Sequence, residues 1–317
     1  MRKQKSISRQ MRDAANKFFD ETISHDLSRT QYKRDFKKFV EFCRSKGLRT
    51  LDEGKNLVQE YSDFLCSKNK FTASTVHTYL APVTRYYGIS MYDIRKPIRR
   101  CSAYVRGRSR KKDVYRTYTD VDSEKWDYLV SFQRMCGARR SELMRITGLD
   151  YTENDFGFFV RIVNGKGGKN SLYYIEPENV PKIKEYFAAV GPNERIFSPE
   201  LFKNNINLHR ERARRAERLY YYFLSRVESD KNFEKQLREN VIKIWREGNI
   251  DKKTGKPKKF DYSSISGLYH LRGANRKKAA QLGKPLSYNK LCLKATSCMA
   301  LGHYRNNISL EYISLYY

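Results

Sequence analysis

Between Thr30 and Cys43 the apolar residues Tyr32, Phe36, Phe39, Val40 and Cys43 recur every three or four positions, with Lys33, Arg34, Lys37 and Lys38 between them. That spacing predicts an amphipathic helix with a basic outer face, ended by Gly47. A second helix fits Leu57 to Lys68 on Leu57, Tyr61, Phe64 and Leu65. A third carries Val76, Tyr79, Leu80, Val83 and Tyr87, with Ser74 and Thr75 available to cap it. This N-terminal part reads as a compact helical domain.

The pattern lapses from Arg95 to Lys112, where RKPIRRCSAYVRGRSRKK holds nine basic residues and no acid. Such a run repels itself unless it lies along an anion, so it reads as a linker that contacts a partner. The expected division is a helical domain over residues 1–105, a basic linker to about 115, and a second domain over 116–317. That second domain opens with a helix around Asp122 to Cys136. Phe156–Val163 and Ser171–Ile175 are then rich in aromatic and β-branched residues and flank Asn164-Gly165-Lys166-Gly167-Gly168-Lys169, a β-hairpin with a glycine-rich lysine turn. Helical periodicity returns over His209 to Arg246, with Leu219, Phe223, Val227, Phe233, Leu237, Val241 and Ile244 in its stripe. A basic loop follows from Asp251 to Lys259. The fold class expected is α+β, mainly helical with a small antiparallel sheet in the second domain.

Composition narrows the partner. Lys and Arg number 64 against 35 Asp and Glu, a net charge of +29. A surplus of that size points to a polyanion, because cations that neutralise phosphates release condensed counterions. Nucleic acid is the first candidate. An anionic membrane fits less well: no apolar run of about 18 residues is present, and the opening MRKQKSISRQMRDAANKFF has no signal-peptide core. A soluble, cytoplasmic, DNA-associated protein is expected. With 24 tyrosines the chain is too aromatic for a disordered basic tail. Its six cysteines form no CxxC pair and have no histidine at ligand spacing, so neither a metal nor a disulfide framework is expected. The GKGGK turn lacks the strand-to-helix setting of a nucleotide loop, so no nucleotide cofactor is expected either.

Four stretches then stand in order: Ala138-Arg139-Arg140-Ser141-Glu142-Leu143, the turn at Lys166, Tyr269-His270-Leu271-Arg272-Gly273, and Leu301-Gly302-His303 with Tyr312 nine positions on. Together they resemble the tyrosine recombinase (phage integrase) family, from Arg139 to Tyr312, with the helical first domain similar to that family's core-binding domain. The resemblance implies a site-specific recombinase that cleaves and rejoins DNA through a covalent 3′-phosphotyrosyl intermediate, without cofactor or metal. Tyr312 would be the nucleophile and His303 a phosphate ligand. Two guanidiniums suit the non-bridging oxygens of a phosphoryl transition state, here Arg139 and Arg272. Lys166 would protonate the leaving 5′ oxygen, with Lys169 as its competitor, and Glu142 would orient a neighbouring side chain.

Two departures qualify the match. Tyr269 stands where the family usually has His or Lys, with His270 one position late; helical or turn geometry favours Tyr269 for the role. The sequence also continues only five residues past Tyr312, so the C-terminal docking helix of many relatives would be replaced by another element. The implied partner is double-stranded DNA, held in a clamp by a homo-tetramer on paired sites, with no membrane involved. Its basic contacts would come from Arg99, Arg100, Arg106, Arg108, Arg110, Lys111, Lys112, Lys252 and Lys253. Alternatives are a telomere resolvase or topoisomerase-like enzyme using the same tyrosine, and a catalytically silent DNA-binding relative.

Overall fold

The computed structural model describes residues 6–68, 71–98, 124–165, 168–203, 205–251 and 254–313. Lys166, Lys252, Lys253 and the basic residues from Arg99 to Lys112 lie outside them. The chain forms two compact units, Met1–Cys101 and Ser102–Tyr317. The fold is α+β, mainly helical with two small antiparallel sheets.

The first unit consists of α1 (Ile7–Thr22), α2 (Asp26–Ser45), α3 (Glu53–Asn56), α4 (Val58–Ser67) and α5 (Ala73–Tyr87). Phe19, Phe36, Phe39, Tyr61, Leu80 and Val83 fill its core. Phe36 and Tyr86 meet edge to face at 5.0 Å, as do Phe39 and Tyr61. Helix α5 starts earlier than Ser74: the Thr72 hydroxyl accepts from the Thr75 amide at 3.2 Å and so caps it.

The second unit contains α6 (Glu124–Cys136), α7 (Arg140–Leu143), strands β1 (Tyr151–Asn154), β2 (Gly157–Ile162) and β3 (Ser171–Ile175), then α8 (Val180–Ala188), α9 (Leu208–Ser229) and α10 (Lys231–Gly248). Strand β4 (Leu268–His270), α11 (Gly273–Gln281), β5 (Ser287–Asn289), α12 (Lys290–Met299) and α13 (Asn306–Ile313) complete it. The three-stranded sheet runs β1-β2-β3 with Phe159 opposite Tyr174 and Val160 opposite Tyr173. Alternate residues leave opposite faces of a strand. Thus Phe158, Val160, Tyr173 and Ile175 join the core built on α6 and α8, whereas Phe159 and Tyr174 join the core of α9, α10 and α12. The sheet is therefore a wall between two cores.

The helical stretch expected over His209 to Arg246 is two helices. Asp230 divides them, its carboxylate accepting from the Asn232 and Phe233 amides at 2.9 and 3.1 Å. Around Tyr269 the expected helical or turn geometry is corrected: residues 268–270 are a strand, with Tyr269 paired to Tyr288.

Candidate active site

Arg139 precedes α7 with extended backbone, and its side chain folds back on the helix it starts. Its Nη1 donates to Glu142 Oε1 at 2.5 Å, its backbone amide donates to Glu142 Oε2 at 2.8 Å, and its Nη2 donates to the Leu301 carbonyl at 3.1 Å. Glu142 is 2% exposed and also accepts from the Tyr173 hydroxyl at 3.0 Å. Burial works to raise its pKa, but the charges of Arg139 and Arg212 and the hydrogen bonds from Arg139 outweigh it, so the carboxyl lies below its ordinary value. Tyr173 is pushed up to about 12 by burial and is a neutral donor. The adjacent Arg140 turns elsewhere, donating to the carbonyls of Phe202 and Ile206 at 3.0 and 2.8 Å.

A second guanidinium comes from Arg212, in the second turn of α9 and 1% exposed. It donates to the Leu301 carbonyl at 2.7 Å, to the Tyr173 hydroxyl at 3.5 Å and to the Gly137 carbonyl. Burial opposes its charge, yet Tyr173, Tyr312 and Glu142 outweigh that and raise its pKa. Arg139 and Arg212 thus share the Leu301 carbonyl, and the single charge of Glu142, paired with Arg139, leaves a surplus positive charge on the two. Gln133, itself buried, sets their spacing: its Nε2 donates at 2.9 Å to the carbonyls of Ala138 and Leu208, the residues just before Arg139 and His209.

Leu301, Gly302 and His303 form the turn between α12 and α13. Gly302 has φ +52, and a Cβ there would stand 2.6 Å from Ser171 Oγ, so glycine is needed for both conformation and close approach. The His303 amide donates to the Ser297 carbonyl at 2.9 Å, and its ring Nε2 lies 3.4 Å from Arg139 Nη2. Tyr304 locks the turn. Its hydroxyl donates to the Asn170 carbonyl at 2.9 Å, and its own carbonyl accepts from Trp245 Nε1 at 3.2 Å and Lys294 Nζ at 3.4 Å. Lys169 Nζ sits 5.2 Å from the centre of the Tyr304 ring. At the other side of the hairpin a Cβ on Gly165 would lie 3.2 Å from Glu142 Oε1. The base of the lysine hairpin is therefore held between Glu142 and the histidine turn.

Tyr312 belongs to α13, which packs against α9 and α12 through buried Leu310 and Ile313, with the Ser309 hydroxyl donating to the Leu293 carbonyl at 3.2 Å. Its half-buried ring lies 5.3 Å from the His209 ring and 5.9 Å from the His303 ring. His209 is in the first turn of α9, whose start is capped by Asn207 accepting from the Arg210 amide at 3.1 Å. The positive end of that helix favours negative charge beside it.

Of the residues singled out from sequence, Arg139, Glu142, His303 and Tyr312 come together here. The bonds and ring contacts just described do not involve Tyr269, His270 or Arg272. Tyr269 is half-buried on β4 against the core, His270 is exposed, and Arg272 is exposed as the residue that starts α11. Those contacts do involve His209 and Arg212, neither of them singled out from sequence. Their signal was present, since His209-Arg210-Glu211-Arg212 has the His-x-x-Arg spacing sought at 269–272. Among the described residues no group of His, Cys, Asp or Glu is placed to hold a metal ion, and no helix is long and apolar enough to cross a membrane.

No family model and no curated protein matches the chain. Among solved structures, the pre-cleavage complex of the XerH site-specific recombinase bound to its difH substrate is similar at 14% identity and a TM-score of 0.42, over 98% of this chain and 81% of that one. XerA recombinase is similar at 16% identity and a TM-score of 0.25, over 71% of this chain and 87% of that one.

Proposed function

We propose that the second unit breaks and rejoins DNA strands with Tyr312 as nucleophile, in the manner of a site-specific recombinase. The observation that carries this is the Tyr312 ring set between His209 and His303, beside two guanidiniums that share the Leu301 carbonyl. The Tyr312 oxygen attacks phosphorus, a Tyr–O–P bond forms, and the bond from phosphorus to the 5′ oxygen breaks. Negative charge that builds on the non-bridging oxygens is met by Arg139 and Arg212, and His303 and His209 donate hydrogen bonds to the same group. The neighbouring cations also stabilise the Tyr312 oxygen as its proton passes to solvent water. The departing 5′ oxygen takes a proton from Lys166, or from Lys169. One ester replaces another, so the strand can be resealed without a nucleotide or metal.

In this reading Arg212 rather than Arg272 is the second phosphate-binding guanidinium, and His209 takes the position first given to Tyr269 or His270. Glu142 acts through Arg139, holding its guanidinium in place. Arg272, with Lys252, Lys253 and the basic run from Arg99 to Lys112, contributes to holding duplex DNA. Four copies of the chain on paired sites are the assembly that the family resemblance implies.

The test is trapping. Duplexes selected from a random pool for binding are nicked near the bound site, so that cleavage releases a short fragment and the covalent product accumulates. An SDS-resistant adduct is expected, absent in Tyr312→Phe. An adduct that persists in that variant refutes the nucleophile, and no adduct on any bound duplex points to a DNA-binding protein without strand chemistry.

A further inference from the structure

We propose that the seam between α6 and α9 is a track for the DNA backbone phosphates that run on from the one attacked by Tyr312. The identity of the anion rests on the DNA reading above; the excess of positive charge does not. Arg210, Arg214 and Arg218 follow one another four residues apart on α9, which sets them in a row at steps of about 6 Å. The row begins beside His209, whose ring lies 5.3 Å from that of Tyr312, and leads away from the candidate active site along the helix. Arg134, near the end of α6, lies against it. Its carbonyl accepts from Arg218, its Nε stands 3.2 Å from Glu211 Oε2, and Arg214 Nη1 stands 3.1 Å from Glu211 Oε1.

Two observations separate this row from arginines that only balance buried acids. The first is charge. Buried Glu211 pairs with Arg134, Arg210 and Arg214, and buried Glu176 pairs with Arg215 and Arg218, so two carboxylates face five guanidiniums. Glu217, which lies between Arg214 and Arg218 in the chain, is taken up by Lys284 at 3.7 Å. The crowding is felt at Arg218: burial first and the charge of Arg215 second hold its pKa below the ordinary value, although Glu176, Glu178 and Glu211 act the other way. The second observation is access. The Arg210 guanidinium makes no hydrogen bond among the described residues and stands 3.8 Å from Glu211; its Nε is buried, but its two Nη atoms are open to solvent. Arg214 gives Nη1 to Glu211 and leaves Nη2 open. Each such fork can give two parallel N–H bonds to one phosphate. A small anion would occupy one fork. A row of them fits a polymer with charge at every step, and the strand held at Tyr312 is that polymer.

The experiment measures the affinity of the full chain for its selected duplex at about 50 and 200 mM salt. In Arg210→Gln and in Arg214→Gln the loss of affinity between the two salts should be roughly threefold smaller than in wild type, a slope of log K against log salt lower by about 1 for each. Arg226→Gln is the charge-matched control: Arg226 lies in the last turn of the same helix, is paired with Asp230 at 3.6 Å, and should leave the slope as it is. A second measurement needs no substitution. Uncharged methylphosphonates placed one at a time should weaken wild-type binding at neighbouring positions that adjoin the bond cut in the trapping assay, and at one of them should cost Arg214→Gln nothing further. Unchanged slopes in Arg210→Gln and Arg214→Gln, an equal change in Arg226→Gln, or sensitive phosphates only at a distance from the cut overturn the track and leave the DNA reading standing. A wild type that binds no duplex at either salt overturns both.

Discussion

Replacing Arg212 by lysine keeps a positive charge at the site but removes the planar fork. In the structure that fork donates to the carbonyls of Gly137 and Leu301 and faces the Tyr173 hydroxyl at 3.5 Å. A single ammonium cannot hold two phosphate oxygens in the same plane. Loss of one preorganised donor to a developing oxyanion typically slows a reaction by about 10²–10³, which is about 2.7–4 kcal/mol of transition-state stabilisation. Single-turnover cleavage of the nicked duplex should fall by that factor, with duplex affinity changed less than about threefold because most binding comes from other basic residues. The fold also loses hydrogen bonds, at about 1 kcal/mol each, so melting should drop by several degrees and cleavage be measured well below the midpoint. Arg272→Ala is the matched control: Arg272 is exposed and starts α11, and its removal should weaken binding slightly and leave the cleavage rate of bound duplex near wild type. The reasoning is refuted if Arg272→Ala costs a hundredfold in cleavage while Arg212→Lys costs little.

Three further outcomes follow from the same cluster. Glu142 has a folded pKa below its ordinary 4.5, so its contribution to stability is present above about pH 4.5 and is lost as pH falls through the depressed value; the stability gap between wild type and Glu142→Gln, from urea melts, should be widest near neutrality and close in acid. Gly302→Ala places a Cβ 2.6 Å from Ser171 Oγ at φ +52, and should cost about 1–3 kcal/mol with cleavage reduced; adding Ser171→Ala should recover part of the loss, and no recovery would mean that φ alone dominates. Tyr304→Phe removes the 2.9 Å bond to the Asn170 carbonyl, which should cost about 1–2 kcal/mol in thermal melts and slow cleavage without altering DNA affinity.

Much of the fold can be read from the sequence where burial follows a single stripe. Helix α2 spans Asp26–Ser45 around the periodic residues from Tyr32 to Cys43, and the hairpin of β2 and β3 falls on the aromatic runs. Helix α1 escaped because its buried face is only Met11, Ala15 and Phe19, one contact per turn with an alanine among them. Strand β1 is an edge strand with three of its four residues exposed, and β4 has only three residues, two of them exposed. Neither leaves an alternating pattern to find. Helix α9 presents the opposite difficulty. Its arginines look like a solvated face, yet Arg212 and Arg215 are 1% and 0% exposed, kept inside by carbonyls of Gly137, Leu301, Met135 and Tyr174 and by Glu176. Charge in a sequence does not tell inside from outside when the partners are backbone carbonyls brought from elsewhere.

That same limit bears on the proposed choice of His209 and Arg212 over Tyr269 and Arg272. Both candidates, 209–212 and 269–272, lie between the lysine turn and Leu301-Gly302-His303, so chain order alone cannot choose between them. Geometry can. His209 and Arg212 are three positions apart on one helix, which puts them on neighbouring positions of one face, and α9 packs against the helix that bears Tyr312. Tyr269 sits within a strand and Arg272 is the extended residue that begins a helix, at φ −128 and ψ 159. A strand residue and a cap three positions later share no face, so the spacing that works on a helix loses its meaning there. A box read from sequence is therefore only as good as the helix beneath it, and in the proposed site that helix is α9.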